Sequence, residues 1–257
     1  MVRPLLNAEV VRLPAFGTNG SQTGAIVDPV TQVVILTESS IEKKLVRSLM
    51  ADRNVVNVDH QAFLIQYTDA NGDTKHHTVD IVATLRDGTR IGYVVKPEAT
   101  AIKQELRGLV ERMATFVQPA DLAVLQMVTS RNLPEWGNLN ARMLANSRRD
   151  RRTYIDDLLR DSAPDLLRPI CIGDLTDRLG GGAIAFRPVL RAIYHGTLDF
   201  LSHGVIGEES KVNFSGQIMP DTDLDIPPPD ILSEAPPVIL RRKREPRPVQ
   251  RASYRSN

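Results

Sequence analysis

The chain has one cysteine, Cys171, in 257 residues. That excludes an internal disulfide framework and a cysteine-based zinc site, and a single thiol suits a reducing cytoplasm. No apolar run approaches the roughly 20 residues a membrane span needs, so no membrane partner is expected. The stretch MVRPLLNAEVVRLPAF lacks an uninterrupted apolar core followed by a small-residue cleavage site. It is not read as a signal peptide, and a cytoplasmic location is expected. Excess charge is also missing. The formal net charge is +1, so only the distribution of charge can point to nucleic acid. Gly180-Gly181-Gly182 has no lysine after it and no strand before it, which excludes a phosphate loop and leaves a turn. What is present, 42% hydrophobic and 25% charged residues, suits one or two globular domains of roughly 100–200 residues each.

Residues 1–36 read as short strands and loops, with GTNGSQTG (17–24) a flexible segment and VTQVVILT (30–37) extended. Ser39 or Ser40 can cap a helix with Ile41, Leu45 and Leu49 at i, i+4 and i+8. FLIQYTD (63–69) alternates as a strand does and is followed by the turn ANGD. Residues 77–96 read as two strands joined at Arg86-Asp87-Gly88-Thr89. Residues 101–117 read as one helix, 122–130 as a buried strand and 138–149 as another helix. Strands alternating with helices over 1–150 predict one mixed α/β domain.

A basic hinge, SRRDRR (147–152), follows. Three helical segments run to about residue 201, with a hairpin expected over 205–214, which is the order of a winged helix over 151–214. Residues 212–240 hold five acids and no Lys or Arg, whereas 241–257 hold seven Lys or Arg and one Glu. Neither stretch has the apolar content to offset ordering entropy, so 215–257 is expected to be an acidic, proline-rich linker and basic tail without fixed structure. The basic run fits a DNA or partner tether, or a solvated tail.

Phosphodiester hydrolysis needs a bound divalent cation, an activated water and neutralisation of the phosphate. Carboxylates hold Mg²⁺ because it is a hard ion, and a nearby lysine stabilises developing negative charge. Asp80 sits on the first strand of the 77–96 hairpin, Lys96 ends the second, and Glu42 lies on the helix before the sheet. A two-residue Asp87-Gly88 turn would set Asp80 and Lys96 on opposite faces. A three-residue loop with left-handed Gly88, or an equivalent bulge, would set them directly opposite on one face, and this form is predicted.

In order, TESSIEKKLVRSLMADRNVVNVDHQ, HTVDIVATLRDG and YVVKPEA resemble the nuclease domain of TnsA-like transposon endonucleases, of the PD-(D/E)XK superfamily. MVTSRNLPEWGNLNARML and residues 170–214 resemble that family's later segment and its C-terminal winged helix. The resemblance covers roughly residues 1–214. It implies a restriction-endonuclease-like mixed sheet flanked by helices, with Glu42 and Asp80 as metal ligands for Mg²⁺ or Mn²⁺, Lys96 as the catalytic lysine and Gln61 nearby. It also implies partners: DNA, a DDE-type transposase subunit and an AAA+ ATPase regulator. The pattern has Glu or Gln two residues before the lysine, where this chain has Val94, which can neither bind a metal nor orient a water. Either another group takes that role or the site is impaired. Glu98 would share the face of Lys96 if the strand continued, but Pro97 breaks it; Glu105 on the next helix is the better substitute.

Arg131, Arg148, Arg149, Arg151 and Arg152 are candidate phosphate contacts, since arginine forks match phosphate oxygens. Bland readings compete. Asp80 could be a salt-bridged edge acid, Lys96 a solvated strand end, and Glu42 a first-turn acid favoured by the helix dipole. His76 and His77 are adjacent on a strand, face opposite ways and read as a polar strand entrance. His195 and His203 read as helix-end residues. Two further functional readings stand beside the endonuclease: a catalytically degenerate assembly subunit of the same fold, and a winged-helix transcription regulator.

Overall fold

The structure, a computed structural model, describes residues 23–150 and 152–218. The expectations for residues 1–22, for Arg151 and for the tail after Ile218 fall outside the described residues.

Strands β1 (Gly24–Val27) and β2 (Val34–Thr37) form an antiparallel hairpin. Asp28 shapes its turn, with Oδ1 accepting the Val30 and Thr31 N–H groups at 2.8 Å each. Ser39 then caps α1 (Ser40–Met50), its Oγ accepting the Glu42 N–H at 3.1 Å. The predicted stripe of Ile41, Leu45 and Leu49 is buried, together with Val46 and Met50.

Strands β3 (Val55–Thr68), β4 (Thr74–Leu85) and β5 (Arg90–Val95) run antiparallel in sequence. Helices α2 (Glu98–Lys103) and α3 (Leu106–Ala114) cross over to β6 (Val124–Val128), which pairs parallel to β5. The result is a mixed four-stranded sheet in the order β3-β4-β5-β6. Helix α4 (Glu135–Ser147) returns beside α1. One face of the sheet buries Val58, Ile81, Ala83 and Val95 against Leu45, Leu49 and Ala145. The other buries Ile65, Val82 and Val94 against Leu106, Val110 and Met113. The molecule is therefore mixed α/β, a sheet flanked by helices.

Two expectations for this half need correction. The single helix over 101–117 is two helices, because Glu105 has φ of +46° and cannot continue a right-handed helix. The strand expected to be buried is a partly exposed edge; Val124 is 43% exposed.

The second half comprises α5 (Tyr154–Ser162), β7 (Ile170–Cys171), α6 (Ile172–Arg178), α7 (Phe186–His195), β8 (Leu198–Phe200) and β9 (Lys211–Phe214). Its antiparallel sheet has the order β7-β9-β8, and it has its own core around Ile155, Leu159, Ile172, Val189, Leu198 and Val212. The hairpin begins earlier than 205, because α7 stops at left-handed Gly196 (φ +72°) and the chain turns at once into β8. The glycines at 180–182 form the turn between α6 and α7, as expected. Helix α4 ties the halves together. Asn140 donates to the Gly204 carbonyl and accepts from the Ile206 N–H, both at 2.8 Å. Among the described residues, no helix is long and apolar enough to cross a membrane.

Candidate active site

The site is built where the sheet departs from regular pairing. On β3 the register shifts between His60 and Phe63, so Gln61 and Ala62 both stand against Asp80. This is a bulge, and Gln61 takes φ of +49° to make it. Left-handed backbone at a non-glycine residue is uncommon and concentrates at functional positions. On β4, Val79 belongs to the core under α3 while Ile81 belongs to the core under α1. Residues two apart on a regular strand share a face, so β4 turns over at Asp80.

That turnover gives Asp80 its position. The β4–β5 pairing ends at Ile81↔Tyr93, and the Asp80 Oδ2 accepts the Val95 N–H at 2.7 Å. The carboxylate thus satisfies a donor left free as the strands part. The loop is the predicted three-residue form, with Gly88 at φ +84°. It spans Arg86–Gly88, closed by the Leu85 N–H on the Thr89 carbonyl at 2.8 Å. The β4–β5 register, continued by one pair, sets Asp80 across from Val94 rather than Lys96. The expected direct opposition is therefore corrected by two residues along β5. Lys96 still reaches the site, with Nζ 3.8 Å from Asp80 Oδ2.

Glu42 faces the same region from α1 and is 5% exposed. Its Oε2 accepts the Glu38 N–H at 2.7 Å and its Oε1 accepts the Ser39 hydroxyl at 2.9 Å. It therefore serves as a capping acid as well as facing the sheet. Burial pushes the Asp80 carboxyl above its ordinary value, and the Glu42 charge pushes the same way. Lys96, the Val95 N–H and His60 oppose them.

His60 was not among the sequence candidates. It is 3% exposed, its Nε2 lies 3.5 Å from Glu42 Oε2, and neither ring nitrogen has a hydrogen-bond partner. Its signal was faint: a histidine beside Gln61 on the approach strand. His77 is half-buried near Lys96; burial first, then the lysine charge, lowers its affinity for a proton.

The remaining candidates divide. Gln61 is buried at the bulge. Val94 is fully buried in the core under α3. Glu98 starts α2 partly buried and Glu105 is exposed; neither is among the groups acting on Asp80. Arg148 is held internally, donating to the Met50 carbonyl at 3.0 Å, pairing with Asp28 at 3.6 Å and lying 5.0 Å over the Tyr194 ring. Arg152 pairs with Asp157 at 2.5 Å. Arg131 and Arg149 are exposed.

Among the described residues, no group of three or more His, Cys, Asp or Glu side chains is arranged to hold a metal ion. Two carboxylates are nonetheless the kind of set Mg²⁺ uses, since it keeps several waters and takes one or two carboxylates plus substrate phosphates. The Asp80 carboxyl is raised chiefly by burial, with a smaller contribution from the Glu42 charge. No protein-family model matches the chain, and no curated protein matches it either.

Proposed function

We propose that the chain is a metal-dependent DNA endonuclease, a subunit of a heteromeric transposase that cuts the non-transferred strand at transposon ends. The observation that carries this reading is the approach of Asp80, Lys96 and Glu42 at the point where β3 bulges and β4 parts from β5. Glu42 and Asp80 would hold Mg²⁺ or Mn²⁺. Such a cation would make a bound water more acidic than bulk water and would offset charge on the phosphate. Lys96, about a third exposed, can meet the charge that develops on the phosphate. The element order α5-β7-α6-α7-β8-β9 with sheet order β7-β9-β8 supports a winged-helix-like second unit. By resemblance, its partners are a DDE-type transposase and an AAA+ ATPase regulator, in the cytoplasm.

The test is nicking of a transposon-end duplex by purified protein with its partners, in Mg²⁺ or Mn²⁺, compared with Asp80→Ala. Metal-dependent nicking by the wild type alone is expected. Equal cleavage by the two proteins removes the enzymatic reading. One observation favours a second reading, a degenerate assembly subunit: both Glu42 oxygens are already engaged in capping, and Val94 fills the position of the missing acid. In that case neither protein nicks, while both enter the DNA-bound complex.

A further inference from the structure

The endonuclease reading leaves open where the DNA lies. The expected reader of a winged helix, α7, is sealed. Its Pro188, Val189, Leu190, Arg191, Ala192 and Tyr194 are buried, and its exposed Arg187 pairs with Asp150. This helix offers no free side-chain row to a DNA groove.

A different face is open. Helices α1 and α4 pack side by side and run the same way: Lys44 Nζ pairs with Glu135 Oε2 at 2.6 Å, and three residues on in each helix Arg47 Nη1 donates to Asn138 Oδ1 at 3.1 Å. Asn138 also donates to Glu135 Oε1 at 3.0 Å. Arg142, one turn further along α4, is exposed. Lys44, Arg47 and Arg142 thus gather here with the carboxylate of Glu135. Burial, and next the charge of Arg142, hold the Arg47 guanidinium below its ordinary value, with Glu135 opposing.

We propose that the α1–α4 face, through Lys44, Arg47 and Arg142, carries the phosphate backbone of duplex DNA. The proposal rests on the endonuclease reading and gives its substrate a place. Glu42, on the buried side of the N-terminal end of the same α1, ties this helix to the proposed nuclease site. Asn146, exposed one turn beyond Arg142, can donate to phosphate or sugar oxygens. Backbone contact of this kind positions a duplex without reading its sequence.

The experiment uses the full chain and a fluorescein-labelled duplex of about 30 base pairs in EDTA, so that cutting does not interfere, with anisotropy read from about 50 to 200 mM salt. Arg47→Gln/Arg142→Gln should weaken binding about tenfold and lower the slope of log affinity against log salt by about 2, since each phosphate contact contributes about 0.9. Arg142→Glu alone, at an exposed position that folding does not need, should weaken binding at least as much as Arg142→Gln. Lys103→Gln/Arg112→Gln, on helices α2 and α3, should change neither quantity. Unchanged affinity and slope in the first pair, equal losses in the control pair, or no duplex binding by the wild type overturns the proposal. So does patch-dependent binding to vesicles of equal parts phosphatidylserine and phosphatidylcholine without binding to the duplex. Nicking that persists while the patch variants bind normally rejects this face alone. Patch-dependent binding without nicking rejects only the nuclease.

Discussion

Arg191→Met removes the cation that neutralises a fully buried carboxylate. Arg191 grips Asp156 with two bonds, Nε to Oδ1 at 2.8 Å and Nη2 to Oδ2 at 2.7 Å. Asp156 is 0% exposed and Arg191 5%. Asp156 also accepts the Thr153 N–H at 2.7 Å and its hydroxyl at 2.9 Å, closing the capping box that starts α5. Methionine fills much of the same space, so the main loss is electrostatic. Breaking one side of a buried pair costs about 3–5 kcal/mol, a large part of the roughly 5–15 kcal/mol that holds a domain together. The sign with pH follows from Asp156. Burial pushes its carboxyl up, but the Arg191 bonds, the Thr153 donors and the arginine charge outweigh it and leave it below the ordinary value. The native state therefore binds fewer protons than the unfolded chain around that range. The pair's contribution is present above the ordinary carboxylate value and is lost as pH falls through the depressed one. In the variant the Arg191 bonds and charge are gone while burial remains, so the carboxyl moves upward and the deficit should shrink on acidification. Urea unfolding followed by circular dichroism at pH 7 and about pH 5 measures both effects. Asp156→Leu/Arg191→Met should recover most of the loss, because no uncompensated charge remains. A single-variant cost below about 1 kcal/mol, or a double variant no better than the single, refutes the reasoning.

Three other substitutions test separate parts of the molecule. Asp80→Asn should abolish nicking yet raise the melting temperature at neutral pH. The Asp80 carboxyl is raised in the fold, so its ionised form opposes folding as pH rises through the ordinary carboxylate value; a melting temperature that falls at pH 7 contradicts this. Val94→Glu should cost at least about 3 kcal/mol and restore no activity, because it places an acid in the packed core under α3; a folded variant that nicks faster would show that residue 94 can face the site. Gly196→Ala should cost about 2 kcal/mol or more, from left-handed backbone (φ +72°) and from a Cβ driven against Arg53, which donates to the His195 carbonyl. Thermal melts would show it, and a change of less than about 0.5 kcal/mol would exclude the clash.

Local signals were legible where one element sufficed to set them. The Ser39 cap and the Ile41, Leu45 and Leu49 stripe lie within one helix, and that helix forms as read. The left-handed Gly88 loop was readable from its Asp-Gly dipeptide. What failed depended on context. The apolar run at 122–130 reads as buried, yet β6 ends as a sheet edge, a matter of topology that its own residues do not encode. The break at Glu105 carries no glycine or proline to announce it. His60 escaped notice because its partner Glu42 lies 18 positions earlier, on another element. Arg148 read as a hinge cation, but Asp28, Met50 and Tyr194 converge on it from three distant parts of the chain.

The candidate site shows where counting strand faces stops applying. Parity assumes a regular strand, and β4 stops being regular at the residue under test. Val79 and Ile81 serve opposite cores, so counting faces through Asp80 has no meaning. The two extra-paired residues on β3, Gln61 and Ala62, accompany the same break from the other side. A bulge bends its strand and re-aims the side chains around it. Here it coincides with a buried carboxylate that takes the Val95 N–H in place of a ladder carbonyl, and with His60 turned toward Glu42. A fully paired β4–β5 ladder would use that N–H itself and leave Asp80 nothing to accept from it. The irregularity therefore accounts for an acid being tolerated between Val79 and Ile81, and it aims that acid at Lys96. Filling the gap, by deleting Ala62 to regularise β3, should return the strand to even pairing. It should remove the approach of Asp80 to Lys96 while keeping the sheet, and an intact Asp80–Lys96 approach in that deletion would show that the bulge does not set the site.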